Sequence, residues 1–220
     1  MLLYKYAKLQ KNQRKILKEN IILFDLDGTL IDSTDAIIST FYHSFKEMDF
    51  EFNGTDEDIK DLIGYPLEIM YQELGVEQDR AFDFVASYKN RYKDISKEQT
   101  LLLEETKEAL ELAKTFARLS VVTTKTGKYT IPLLEHMEIL DYFEHITGYE
   151  DVEHHKPHPE PILKTLDLMK IEKTSNIWMV GDTKLDLMAA NHAGVNSVGV
   201  LCGYGKEEDL KEHTTFIAQD

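Results

Sequence analysis

Asp25 and Asp27, two carboxylates spaced two apart, end the apolar run Ile21-Ile22-Leu23-Phe24 and are followed by Gly28-Thr29. Two anions held this close repel by about 4 kcal/mol at ~4 Å and an effective dielectric near 20. The pair must therefore share a proton or hold a cation. Read alone, the stretch also has a plainer account as a polar Asp-x-Asp-Gly turn without chemistry. Three further groups of residues bear on it: Thr123-Thr124 at the end of Leu119-Ser120-Val121-Val122, Lys156 ahead of Pro157-His158-Pro159, and Asp182 with Asp186 in Gly181-Asp182-Thr183-Lys184-Leu185-Asp186. Singly, each has a plain account: a strand-end threonine, a surface lysine, and a helix cap followed by a first-turn acid. Together they suit phosphoryl transfer. Carboxylate oxygens of Asp25 and Asp182 suit Mg²⁺, which prefers an octahedral oxygen shell; Asp27 and Asp186 complete the acidic set. Asp25 can attack phosphorus as a carboxylate nucleophile. Asp27 can protonate the leaving oxygen and then activate water. Donors at Gly28, Thr123 and Thr124, with Lys156, would meet the charge on the transferring oxygens.

These residues must be brought together by the elements that carry them. The run before Asp25 reads as a central parallel strand covered on both faces, and its period aims Asp25 and Asp27 to one side. From residue 101 helical and strand patterns alternate, with strands at Leu119–Thr123, His145–Thr147, Ile177–Val180 and Ser197–Val200. Strands separated by helices imply right-handed crossovers and a doubly wound parallel sheet, with all strand carboxyl ends on one edge. Between residues 34 and 100 nothing alternates like a strand. Ile37, Phe41, Phe45 and Met48 have helical spacing; Thr55 suits an N-cap, Gly64 a stop and Pro66 a first helical position. Ala81, Val85, Tyr88, Tyr92 and Ile95 mark a long amphipathic helix. The expected organisation is an α/β core of residues 1–33 and 101–220 with an all-helical insert, 34–100, over the end of the Asp25 strand. Residues 1–20 are a basic, loosely helical extension. The polar stretches Asp32-Ser33-Thr34 and Lys97-Glu98-Gln99-Thr100 are the natural hinges, and Gly64-Tyr65-Pro66 is the loop expected to reach the leaving group.

With 220 residues and a formal net charge of −15, the chain can bury a sizeable core and is a poor partner for nucleic acid or an anionic membrane. Its single cysteine, Cys202, excludes an intrachain disulfide, fits a reducing cytosol and is expected to be a small buried hydrophobe. The first residues are interrupted by lysine and arginine throughout and lack an apolar signal region. A cytoplasmic location follows, with the assembly open between monomer and homodimer. The adjacent His154 and His155 lack ligand spacing and are expected to be exposed.

The order Asp-x-Asp-Gly-Thr, strand-Thr, Lys-Pro, Gly-Asp-x-x-x-Asp resembles the haloacid dehalogenase superfamily in its phosphatase branch, over about residues 21–205. Asp25-Leu26-Asp27-Gly28-Thr29 is similar to the first motif, Thr123 to the second, Lys156 to the third, and Gly181–Asp186 to the fourth. Asn191–Leu210, with Gly203-Tyr204-Gly205, resembles phosphoglycolate phosphatases and their relatives. The resemblance implies a helical cap, Mg²⁺, and hydrolysis of a small phosphorylated metabolite such as phosphoglycolate, a sugar phosphate, a nucleoside monophosphate or pyrophosphate. It also admits a phosphosugar mutase and an inactive, phospho-ligand-binding relative; dehalogenation does not fit, because Asp27 is kept. One departure is Thr124, where those relatives usually have Asn.

Overall fold

The computed structural model describes residues 20–171 and 176–219. Apart from Asn20, the basic extension lies outside the described residues. β1 (Asn20–Phe24) is followed by β2 (Ile31–Asp32), then by four helices: α1 (Thr34–Glu47), α2 (Asp56–Lys60), α3 (Leu67–Glu73) and α4 (Ala81–Ile95). β3 (Leu101–Leu102) returns the chain to α5 (Thr106–Lys114), β4 (Arg118–Val122), α6 (Gly127–His136) and β5 (Phe143–Thr147). Then come α7 (Glu160–Leu168), β6 (Asn176–Gly181), α8 (Lys184–Ala193), β7 (Asn196–Val200), α9 (Glu207–Lys211) and β8 (Ile217–Ala218).

The main sheet runs β5-β4-β1-β6-β7-β8, and every neighbouring pair is parallel. β1 is central because its alternate residues feed two cores. Ile21 and Leu23 pack with Ile162 of α7 and Ala189 and Ala190 of α8. Ile22 and Phe24 lie against the opposite cluster, which includes Leu110 of α5 and Leu133 and Leu134 of α6. The register fixes the edge. Phe24 is level with Val121 on one side and Val180 on the other. Asp25 therefore emerges beside the ends of β4 and β6, one step before Thr123 and Asp182. Gly194 ends α8 in the left-handed conformation (φ 71°), as a residue without Cβ allows.

The four helices α1–α4 bury their own aromatic core of Phe41, Phe45, Tyr71, Phe84 and Tyr88. Phe45 and Phe52 stack at 4.7 Å, and Tyr71 is tied to Ser44 by a 2.6 Å hydroxyl pair. Thr55 caps α2 through a reciprocal bond with Asp58, while Pro66 sits one residue ahead of α3 rather than at its first position. Three short features were not read from the sequence. β2 and β3 form an antiparallel ladder, Ile31 with Leu102 and Asp32 with Leu101, at the two roots of the helical segment. β8 completes the far edge of the sheet, preceded in the chain by the short α9. Among the described residues no helix is long and apolar enough to cross a membrane.

Candidate active site

A chain of buried charges lies at the carboxyl edge of the sheet. Lys156 Nζ is 2.7 Å from Asp25 Oδ1, 2.5 Å from Asp186 Oδ1 and 3.1 Å from the Val122 carbonyl. Lys156 precedes Pro157 through a cis peptide bond. Burial alone would lower the Lys156 ammonium; Asp186 and Asp25 outweigh it and hold the group above its ordinary range. Burial also lifts the Asp25 carboxyl to about 7, against the pull of Lys156 and with the help of Asp186 and Asp27. Asp182 is held well above its ordinary range, by burial and then by the Asp25 and Asp186 charges. Carboxylate oxygens of Asp25, Asp182 and Asp186 all lie within 4.8 Å of one another.

Each acid is held by its own anchors. Asp25 begins where β1 ends, and its N–H donates to the Val180 carbonyl at 2.8 Å. Asp182 accepts from Thr29 Oγ1 at 3.0 Å and from the Tyr204 N–H at 2.8 Å. Close backbone approach makes this possible: a Cβ on Gly203 would fall on Asp182 Oδ2 and the Gly28 carbonyl, and one on Gly205 on the Asp182 carbonyl. Asp186 accepts from the Thr183 N–H at 3.1 Å and from its hydroxyl at 2.7 Å, which caps α8. The plain account of Asp186 as a first-turn acid and the chemical one therefore hold for different oxygens of one carboxylate.

The Asp27 carboxylate lies outside this group of three. It accepts from the Ser33 hydroxyl and lies 3.2 Å from Lys125 Nζ. Lys125 in turn donates to the Tyr92 hydroxyl of α4 at 2.8 Å and sits 4.3 Å from the centre of that ring. Burial would lower Lys125; Asp27 and Tyr92 more than reverse that. Sequence reasoning passed over Lys125, because a lysine after a strand-end threonine pair carries no distinguishing pattern. Thr123 is buried and its hydroxyl accepts from the Lys125 N–H at 3.1 Å, whereas Thr124 lines the cleft described next.

An open cleft, with only about 60 Å³ of enclosed space, runs from Asp27 between the sheet edge and the helical segment. Its walls include Tyr65 ahead of α3, Tyr88 and Tyr92 of α4, Tyr129 of α6 and Tyr149 after β5. The expected loop, Gly64-Tyr65, does reach it. Tyr149 also donates to Glu68 of α3, and Lys89 lies 5.5 Å from its ring centre. Two other expectations are corrected. His155 stacks on Tyr149 at 4.1 Å instead of facing solvent, although His154 is exposed and paired with Glu160. Cys202 is half-buried, with its thiol 3.5 Å from the Gly28 carbonyl.

Comparison with known proteins matches residues 22–200 to the haloacid dehalogenase-like hydrolase family. The pyrophosphatase PpaX of Anoxybacillus flavithermus is 35% identical over 183 residues, covering 82% of this chain and 83% of the relative. The protein of the same name from Bacillus cereus (strain ATCC 10987 / NRS 248) is 31% identical over 84% of each chain. Among solved structures, a haloacid dehalogenase-like family hydrolase from Streptococcus pneumoniae superposes with a TM-score of 0.83 at 26% identity, over 94% of this chain and 95% of that one. A predicted phosphoglycolate phosphatase from Haemophilus somnus 129pt gives 0.81 at 25% identity, over 93% and 95%.

Proposed function

Because the chain belongs to the haloacid dehalogenase-like hydrolase family, we propose that it is a Mg²⁺-dependent phosphatase of a small phosphorylated metabolite, working through an aspartyl-phosphate on Asp25. The observation that carries this reading is the division of the two first-motif acids between two lysines. Asp25 is buried against Lys156, and Asp27 is held by Lys125 at the mouth of the cleft.

The donor set fits the metal: carboxylate oxygens alone, buried and clustered within 4.8 Å. Asp25 and Asp182 would hold Mg²⁺, with Asp186 beside them and committed to Lys156 and Thr183. When bound, the ion offsets the repulsion among these acids and supplies positive charge toward the phosphoryl oxygens. The Asp25 carboxylate attacks phosphorus as the bond from phosphorus to the leaving oxygen breaks, and Asp27 gives that oxygen its proton. Water, losing a proton to Asp27, then attacks the phosphorus of the aspartyl-phosphate. Phosphate leaves and Asp25 is regenerated. Lys156 orients Asp25 and counters the charge on the transferring oxygens, with the Thr123 hydroxyl and the backbone at Thr124 as further donors; the Gly28 N–H is taken by the Ile31 carbonyl. Helices α1–α4 act as a cap that closes over Asp25 to exclude water and opens for release, swinging on the segments beside the β2–β3 ladder.

The names of the relatives support phosphoester or phosphoanhydride substrates. Release of phosphate from a panel of phosphometabolites, with Mg²⁺ and with EDTA, is the test, together with rapid-quench trapping of labelled phosphate on the protein. Mg²⁺-dependent release with label retained is expected. Release that persists in EDTA, or absence of release from every substrate, would refute the reading.

A further inference from the structure

We propose that His154, His158 and Glu160 form a binding site for a divalent transition-metal ion of the zinc class, made of other residues than the carboxylate cluster. Among the described residues, donor atoms of these three lie within 4.8 Å of one another, as do those of Asp25, Asp182 and Asp186. The chemistry of the two sets differs. The acids offer hard oxygens alone, which suit Mg²⁺, whereas two imidazoles and one carboxylate suit Zn²⁺ and its neighbours. His154 and His158 are exposed and Glu160 is half-buried. An ion therefore reaches them without opening the fold and keeps a position for water.

The loop sets up the three corners by itself. The partner of His154 is not its neighbour His155, whose ring stacks on Tyr149 at 4.1 Å, but His158, four residues on. A turn closed by the His158 N–H on the His155 carbonyl at 2.8 Å brings residue 158 back beside 154. The two imidazole rings then lie 4.6 Å apart between centres. Glu160, the first residue of α7, fixes the third corner: its carboxylate accepts the N–H groups of Glu153 and His154, both at 3.0 Å. Its Oε2 is 2.8 Å from His154 Nδ1 and 4.0 Å from His158 Nδ1. Nitrogen and oxygen ligands of a tetrahedral zinc ion stand about 3.3–3.5 Å apart, given bonds of ~2.0–2.2 Å. The two observed separations bracket that spacing. The ion takes the place of the proton between His154 and Glu160, and His158 yields to it the lone pair that accepts the Glu160 N–H at 3.2 Å. That N–H opens a helix, where water can satisfy it. The three ligands straddle Lys156, so a bound ion fastens both ends of the segment that delivers this lysine to Asp25.

The test is calorimetric titration of Zn²⁺ into the full chain with Mg²⁺ in excess, for the wild type, His154→Gln, His158→Gln and Asp182→Asn. The wild type should bind one Zn²⁺ at a site whose Kd is unchanged in Asp182→Asn. Each histidine variant should weaken it by about tenfold or more, since even the partners of metal ligands contribute ~10–100-fold. At 100 times that Kd, Zn²⁺ should raise the wild-type Tm by about 5 °C or more. The rise should shrink in both histidine variants, whose zinc-free melts report that they fold. Co²⁺ in place of Zn²⁺ should give visible absorption that the same two variants lose. Absence of zinc binding, an affinity unmoved in either histidine variant, or binding lost in Asp182→Asn would overturn the proposal.

Discussion

Asp25→Asn should abolish turnover and at the same time make the metal-free protein more stable. The amide keeps the shape of the side chain but is a poor nucleophile. The stability effect follows from burial, which lifts the Asp25 carboxyl from its ordinary 3.8 to about 7. Below pH 3.8 both folded and unfolded chains carry the proton, and Asn is a fair mimic of the protonated acid. Between 3.8 and 7 the unfolded chain ionises while the folded one does not, so the wild type loses up to ~1.4 kcal/mol per pH unit. Above pH 7 the loss is constant at about 4 kcal/mol, because both states are ionised. Asn escapes it, and also relieves Asp182, which the Asp25 charge helps to push up. From pH 5 to pH 8 in EDTA the stability gap between variant and wild type should widen by about 2–3 kcal/mol. For a chain of this length that is a Tm gap growing by about 5–10 °C. Thermal and urea melts at the two pH values, with phosphate-release assays on the same samples, measure both halves. A gap that does not grow with pH, or a variant less stable than wild type at pH 8, would refute the burial argument. Turnover within tenfold of wild type would refute the nucleophile.

Millimolar Mg²⁺ should raise the wild-type Tm, since a ligand of the folded state at 100 times its Kd contributes about 2.7 kcal/mol; Asp182→Asn should erase most of that rise, and a wild type indifferent to Mg²⁺ would count against a metal site. Lys125→Met removes the cation shared by Asp27 and Tyr92. It should lower kcat on the order of ten- to a hundredfold and speed hydrogen exchange near Tyr92 in α4; an unaltered kcat would separate Lys125 from the chemistry. Gly203→Ala places a methyl on Asp182 Oδ2 and the Gly28 carbonyl, so it should cost about 1–3 kcal/mol by overpacking and shrink the Mg²⁺-induced Tm rise. A full Mg²⁺ response in that variant would show that Asp182 can be displaced without consequence.

How much of this was legible in the sequence depends on whether the signal was local. The five longer parallel strands stand out as apolar runs between helical periods, and the edge they share brings Asp25, Thr123, Lys156 and Asp182 together from pattern alone. The four helices between residues 34 and 95 were equally plain from their spacing. Two-residue strands are another matter. Ile31-Asp32 and Leu101-Leu102 pair across some seventy residues of chain, and neither has the length to show a period. Ile217-Ala218, at the sheet's edge, is equally too short to show one. Lys125 illustrates the limit at a site: its importance lies in reaching Asp27 and Tyr92, two contacts that only the closed fold creates.

The spacing of the two first-motif acids also misled in an instructive way. A strand period places Asp25 and Asp27 on one face, and mutual repulsion then argues for one shared cation. The chain avoids this by leaving the sheet after Phe24 and turning tightly: Gly28, at φ 84°, donates its N–H to the Ile31 carbonyl at 2.8 Å. The turn sends Asp27 toward Ser33 and Lys125 while Asp25 stays with Lys156 and Asp186. The two carboxylates thus acquire different partners, which is what different chemical roles require. Ser33 stands at the root of α1, and Lys125 reaches α4 through Tyr92. In the proposed mechanism the proton-transferring acid is therefore tied at both ends to the helical segment, and the nucleophile is tied only to the core. Movement of those helices would disturb Asp27 and leave Asp25 in place. A cap that opens for product release would, by this wiring, loosen the hold on the acid/base group without dismantling the buried cluster that holds the nucleophile.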